Sequence, residues 1–353
     1  MTAYIHRIRI DEFRTIKGLD IDLRPRPGDK QPFRHLVLTG PNGSGKSSAL
    51  LRVAKSIHAD SDPHLTWSPT TSQTAKMAVY VQANRAVRFN PVSGPAKLAL
   101  HSETLQQGSA ATFLQYLVNR KTEQAFAVID KRLEKESELT QWFERLQDSM
   151  RWLYEDLRLT LEFDSKAFEF NIRRGDGSTH TLKEMADGHA AFVTIFAEIV
   201  LACEATGKTA GIVILDEIEN HLHLRLQEQA LPFLTNLFPN FQFITATHSP
   251  AVISSIPDAI VYDMARRVAT PSEEFIGRPF GALMTAHFRL PSEFDIDSTT
   301  RLEALRSRAA AAPDPLRDTE CQALADVLTR RGDTLAYEVW RILHEPKLPG
   351  GSS

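Results

Sequence analysis

The chain has 353 residues, a net charge of −3, and 42% hydrophobic against 24% charged residues. This is an ordinary globular balance, large enough for one α/β domain with a substantial insertion. Nothing in the overall charge demands a polyanionic partner, although a local basic face is compatible with it. Cys203 and Cys321 stand far apart and outside any metal-ligand spacing, so both read as reduced thiols and favour a cytoplasmic location.

Residues 4–10 and 19–23 alternate apolar and polar side chains around a turn at Asp11–Arg14, which predicts two edge strands. The opening has no apolar signal core. A Pro/Gly-rich loop at 24–32 precedes a short apolar strand, His35–Thr39. A glycine-rich turn then leads into a helical pattern at 47–58. Residues 59–76 are rich in Ser, Thr, Pro and Asp and read as a surface loop, and 77–81 as a buried strand.

From about 110 to 158 the pattern is helical. Leu139, Trp142, Phe143, Leu146, Met150, Leu153 and Leu157 recur at spacings of three and four, which places them on one helix face. That stripe is expected to bury against the fold, with a coiled-coil contact as the alternative. Strands follow at 157–163, 168–173 and 179–182, separated in part by the Gly175-Asp176-Gly177 turn. The run 190–205 is apolar but interrupted by Glu198, and reads as a buried helix about one turn short of a membrane span. Strand Gly211–Leu215, helix Leu224–Leu237, a strand at 241–245, a helix near 251–255 and a strand at 259–262 then alternate. This implies a mostly parallel sheet covered on both faces. From about 270 to 345 the chain is helical and charged, and the final LPGGSS reads as a flexible tail.

The chemistry concentrates in three places. Gly40-Pro41-Asn42-Gly43-Ser44-Gly45-Lys46-Ser47 matches G-x-x-x-x-G-K-[ST] between a strand and a helix. The glycines let backbone N–H groups turn inward towards phosphates, with Ser48 and the helix N-terminus adding to the cradle. Lys46 places a charge on the β/γ-phosphates, and Ser47 offers a hydroxyl to Mg²⁺. The pattern therefore points to ATP and Mg²⁺. The second place is Ile212-Val213-Ile214-Leu215-Asp216-Glu217, an apolar strand ending in two carboxylates. Asp216 is expected to hold Mg²⁺. Glu217 is expected to orient and deprotonate the attacking water, the two pointing to opposite faces as neighbours on a strand do. The third is Thr247-His248-Ser249-Pro250, which ends the next strand and sets His248 at the same sheet edge, in reach of the γ-phosphate.

Together GPNGSGKS at 40–47, LDE at 215–217 with IENHLH after it, THSP at 247–250 and IRIDEFRTIKGLDIDL at 8–23 resemble the ABC-type ATPases. Within that class they resemble the soluble branch of RecF-like, SMC-like and OLD-type AAA proteins. DEIENHLH is similar to the form found in bacterial AAA proteins, many of them in phage-defence systems. The resemblance implies an α/β P-loop fold of ABC-ATPase type, a mostly parallel sheet with N-terminal antiparallel strands. Its parts would be 1–89 and 181–268 for the ATPase core, 90–180 for a mainly helical insertion and 269–353 for a helical C-terminal extension. It also implies that Gln82 reaches Mg²⁺ and that Met185-Ala186-Asp187-Gly188-His189 is the signature motif. Asp187, Gly188 and His189 would then face the γ-phosphate of a partner copy. Ala186 stands where the branch has serine. Losing such a donor costs about 3 kcal/mol where it acts as an oxyanion-type donor, which predicts slow turnover.

The expected function is Mg-dependent ATP hydrolysis by a homodimer or higher homo-oligomer that drives a separate effector protein, a nuclease or toxin, in phage defence or DNA repair. The alternatives are the nucleotide-binding subunit of a membrane transporter and a slow ATP-gated scaffold. The departure of MADGH from L-S-G-G-Q and the long insertion argue against the first. Arg85, Arg88, Arg120, Lys121, Lys131 and Arg132 are open to two readings, a face for DNA or a partner and a solvated helix surface, and surface composition favours the second. His221 and His223 with Glu217 or Glu219 lack the further ligands of a zinc site. Glu293, Asp295 and Asp297 read as a solvated acidic group.

Overall fold

The computed structural model describes residues 3–57, 64–68, 77–83, 89–98, 109–290, 292 and 294–344. Arg85, Arg88, Glu293, the terminal LPGGSS and most of the loop expected at 59–76 lie outside them. The chain divides into two compact units, 1–278 and 279–353.

The first unit begins with strands β1 (Tyr4–Phe13), β2 (Ile16–Asp22) and β3 (His35–Thr39), helix α1 (Lys46–Ile57), and strands β4 (Leu65–Ser68) and β5 (Ala78–Val81). Helices α2 (Phe113–Ile129) and α3 (Leu133–Leu153) follow, then strands β6 (Thr160–Asp164), β7 (Glu169–Arg173) and β8 (Thr179–Thr181). Helix α4 (Asp187–Thr206), β9 (Gly211–Leu215), α5 (Leu224–Leu237), β10 (Phe241–Ala246), α6 (Pro250–Ile253), β11 (Ala259–Asp263) and β12 (Val268–Pro271) complete it. The second unit carries α7 (Phe280–Ala286), α8 (Ile296–Ala311), α9 (Thr319–Thr329) and α10 (Asp333–His344). Leu302, Leu305, Leu328, Leu335 and Val339 form its own core.

The central sheet runs β12-β11-β3-β10-β9-β5, parallel throughout except for β12. Every residue of β3, β9, β10 and β11 is buried. Continuous apolar runs such as Gly211–Leu215 suit a strand covered on both faces. A second sheet, β2-β1-β4, is antiparallel. β1 is its middle strand and not an edge. Its second neighbour, β4, comes from the segment that composition reads as loop. Helix α1 lies between the two sheets. Leu50, Val53 and Ile57 pack with Ile5, Ile8 and Ile10 on one side and with Leu36, Leu38, Ile212 and Ile244 on the other. The fully buried Gln242 of β10 joins the sheets. Its amide donates to Ile5 O and Arg34 O at 2.8 Å each and accepts from Ile5 N at 2.8 Å.

The insertion is two helices beside the antiparallel sheet β6-β7-β8. Leu139, Leu146, Met150 and Leu153 are buried, so the stripe faces the fold. Leu157 does not belong to it. The helix ends at Leu153, Glu155 turns to a positive φ of 52°, and Leu157 is 87% exposed. Two of the basic residues are spent inward. Arg120 bonds Glu204 and the Tyr116 hydroxyl, and Lys121 stands 4.6 Å from the centre of the Phe143 ring.

Helix α4 is 20 residues long and, by length and composition, apolar enough to cross a membrane. In the fold, Phe192, Val193, Ile195, Phe196, Ile199 and Leu201 are buried against protein. Gly207, at φ 63°, closes the helix in the left-handed conformation that glycine adopts without penalty.

Candidate functional site

The parallel order brings the C-terminal ends of β3, β10 and β9 together, with β5 beside β9. In an open α/β sheet this edge is where loops can meet a ligand. The turn after β3 needs its glycines: Gly40, Gly43 and Gly45 have φ of 133°, 79° and 96°. A Cβ on Gly45 would lie 3.0 Å from Ile16 Cγ1 and 3.1 Å from Thr15 Oγ1. The β1–β2 turn therefore presses on the phosphate loop, a contact absent from the sequence reading. Pro41, Asn42 and Gly43 are exposed, Gly40, Ser44, Gly45 and Ser48 half-buried, and Ser44 N donates to Pro41 O at 3.2 Å.

Lys46 is 6% exposed and donates to Gly40 O at 2.9 Å and Pro41 O at 3.2 Å. Burial lowers its pKa, while Glu217, Glu219 and Asp216 pull it back up. The exposed Ser47 donates through Oγ to Oδ1 of the buried Asp216 at 3.1 Å. A hydroxyl and a carboxylate this close are hard oxygen donors suited to Mg²⁺. Asp216 N in turn donates to Val81 O at 3.0 Å, which fixes the acidic turn to the end of β5. Gln82, the next residue, is exposed at that same edge.

Glu217 differs from the strand-alternation expectation. β9 stops at Leu215, and Glu217 has a positive φ of 47°. A turn, and not pleat geometry, separates its direction from that of Asp216. Asn220 Nδ2 donates to Glu217 Oε2 at 2.7 Å and to Ala83 O at 3.3 Å. Glu219, which sequence reasoning weighed only as a metal ligand, has a clear structural partner set. It accepts from Thr247 Oγ1 at 2.7 Å and from His248 N at 2.5 Å. Ser249 caps α6, accepting from Ala251 N and Val252 N, which sets the backbone after His248. The His248 ring is left with Nε2 buried and without a hydrogen-bond partner. Burial and then Lys46 lower its pKa, against the three carboxylates Glu219, Glu217 and Asp216. A neutral imidazole is thus poised beside a buried ammonium.

The structure brings Lys46, Ser47, Asp216, Glu217 and His248 to one sheet edge, with Gln82 alongside, just past the end of β5. Asp187, Gly188 and His189 form a separate cluster on the first turn of α4. Asp187 is exposed and the other two half-buried. A Cβ on Gly188 would lie 2.8 Å from His221 O, so this glycine serves a close approach within its own chain. The His189 ring lies against Tyr154, with centroids 4.0 Å apart and planes tilted by 33°. His223 accepts from Leu226 N at 3.4 Å as the N-cap of α5. Among the described residues, no group of three or more His, Cys, Asp or Glu side chains is placed to hold a metal ion.

Residues 54–254 match the family described as "AAA domain, putative AbiEii toxin, Type IV TA system". The chain belongs to this AAA family. The matched span takes in Asp216, Glu217, Glu219 and His248 and begins just after the phosphate loop. The AAA chain is 22% identical to the Septu protein PtuA of Bacillus mycoides (strain KBAB4) over 287 residues, which cover 73% of this chain and 40% of that protein. It is 50% identical over 46 residues to the retron Vc95 probable ATPase of Vibrio cholerae serotype O1 biovar El Tor, covering 13% of this chain and 9% of that one. The alignments thus span well under half the length of these curated relatives. Among solved structures it is similar to an Smc head bound to the C-terminal winged-helix domain of ScpA (16% identity, TM-score 0.43, 77% of this chain and 98% of that one). It is also similar to a putative metal-chelate type ABC transporter in an inward-facing conformation (14% identity, TM-score 0.39, 82% and 89%).

Proposed function

We propose that this chain binds ATP on the loop at 40–47 and hydrolyses it with Glu217 as the base, as the ATPase member of a phage-defence system. The reading is supported by one convergence: a buried lysine, a serine–aspartate pair, a carboxylate and an imidazole with a free buried nitrogen meet at one sheet edge. Lys46 holds the β/γ-phosphates in place of its bonds to Gly40 O and Pro41 O. Ser47 and Asp216 would hold Mg²⁺, with Gln82, just past the end of β5, as a further ligand, and the ion would neutralise charge on the phosphate oxygens. Glu217, with Oε2 engaged by Asn220, takes a proton from water, and Nε2 of His248 donates to the γ-phosphate. Each is a proton or hydrogen-bond role that the position allows.

The signature residues Asp187, Gly188 and His189 lie on the first turn of α4. The reading includes a two-fold sandwich in which each site takes its phosphate loop from one copy and its signature from the other. Names such as "Septu" and "retron" attach to the relatives. They support a defence role here and a separate effector that responds to the nucleotide state.

The test is phosphate release from Mg-ATP by the wild-type chain and by Glu217→Gln. The amide cannot accept the proton, so turnover should fall by two or more orders of magnitude while a fluorescent ATP analogue binds as before. Wild-type turnover in Glu217→Gln would remove Glu217 from the role of base.

A further inference from the structure

The loop that follows β9 is pinned to the strands on either side of it. Asp216 N donates to Val81 O of β5 at 3.0 Å. Ile218 is fully buried and donates its N–H to Ala246 O of β10 at 3.4 Å. Glu219 accepts from Thr247 Oγ1 and His248 N. Glu217 stands between these anchors at a φ of 47°, a left-handed conformation that a residue other than glycine keeps where its surroundings hold it. Asn220 supplies that hold twice. Its backbone N donates to Glu217 O at 3.0 Å and closes the turn 217–220. Its side chain then folds back over the turn to the Glu217 carboxylate.

The two side-chain bonds fix which way the half-buried amide faces. Nδ2 lies 2.7 Å from Glu217 Oε2 and 3.3 Å from Ala83 O. Both neighbours are acceptors, so the NH₂ group and not Oδ1 must face them. One N–H holds the carboxylate and the other reaches the chain just past Gln82. A glutamate side chain left to itself keeps much rotamer freedom. A base works only when its oxygen is held within hydrogen-bond reach of the proton and in line with it.

We propose that Asn220 is a positioning residue for hydrolysis: its amide aims the Glu217 carboxylate and ties it to the chain after β5, so that the base and the segment carrying Gln82 keep a fixed spacing. The inference rests on the reading of Glu217 as the base. Asn220 acts through Glu217 and has no contact of its own with the reacting atoms. Aspartate is nearly the same size but has no donor, so at this position it sets a charged acceptor against a carboxylate and a carbonyl oxygen. The need is therefore for an N–H and not for a shape.

The experiment measures phosphate release by the full chain over a range of Mg-ATP concentrations, for wild type, Asn220→Ala and Asn220→Asp. Asn220→Ala should lower kcat by about 10- to 100-fold, the worth of one hydrogen bond to a charged group. KM and the affinity for a fluorescent ATP analogue should stay as in wild type, since the phosphate loop is untouched. Asn220→Asp should be the slower of the two variants, whereas a packing role would make this near-isosteric change the milder one. If Asn220→Ala does not fold, Asn220→Asp alone decides, through a fall in kcat at wild-type KM. Wild-type kcat in either variant, an aspartate milder than alanine, or a raised KM at wild-type kcat overturns the role of Asn220 and leaves Glu217 as the base. Wild-type turnover in Glu217→Gln overturns both.

Discussion

Replacing Glu219 by glutamine tests whether the catalytic edge is held from behind. The carboxylate spends one oxygen on the Thr247 hydroxyl at 2.7 Å and the other on the His248 amide at 2.5 Å. Glutamine keeps a single acceptor oxygen and turns an NH₂ group towards the other donor. One hydrogen bond to a charged group is lost, at about 1.5–3 kcal/mol. In a unit of this size that lowers Tm by about 3–10 °C. The phosphate loop is untouched, so ATP affinity should hold. The backbone that carries His248 loosens, and one of the carboxylates that raise the His248 pKa is gone. If the whole loss is felt in the transition state, kcat falls by about 10–100-fold. Steady-state phosphate release and thermal unfolding of Glu219→Gln provide the check. Wild-type kcat together with an unchanged Tm would refute the claim that Glu219 sets His248 in place.

Lys46→Ala should abolish binding of a fluorescent ATP analogue, because no other buried cation stands among the described residues of the loop; retained affinity would remove Lys46 from the phosphate site. Gly45→Ala places a Cβ against Ile16 and Thr15 at a positive φ of 96°, which costs at least about 1–2 kcal/mol. It should lower both Tm and ATP affinity, and a variant as stable as wild type would contradict the tight turn. Ser47→Ala should leave ATP binding largely intact in chelator and weaken the gain on adding Mg²⁺; an unchanged Mg²⁺ dependence would count against the Ser47–Asp216 pair. His35 is buried, accepts from Phe243 N at 3.0 Å and has its pKa pushed down to about 4. The unfolded chain therefore binds the proton first. Stability is lost as pH falls from about 6.5 to about 4, by about 3 kcal/mol in all. Unfolding curves of wild type and His35→Gln across that window should differ in slope, and parallel curves would refute it.

What the sequence made legible was local. The phosphate loop declares itself because glycines, lysine and serine lie within eight consecutive positions between a strand and a helix. The buried parallel strands declare themselves through runs such as Ile212–Leu215. Strand β4 does not, since only Leu65 of Leu65–Ser68 is buried and its pairing with β1 is remote in sequence. Leu157 fits the helical spacing, yet nothing in a periodicity shows that Glu155 breaks the helix. The split between Asp216 and Glu217 was expected, but from the wrong cause, because a left-handed turn replaces the pleat. Glu219 was visible as a second carboxylate two positions on. Its partners lie 28 and 29 residues away and become neighbours only through the β9–β10 pairing.

The glycine at 188 has a mechanical side. With His221 O 2.8 Å from where its Cβ would be, the first turn of α4 and the loop that follows Glu217 leave no room for a side chain between them. Glu217, Asn220 and His221 share that short loop, so any side chain at 188 would push directly on the segment that carries Glu217. The loop that carries the proposed base and the start of the long buried helix are thus neighbours that tolerate no side chain between them.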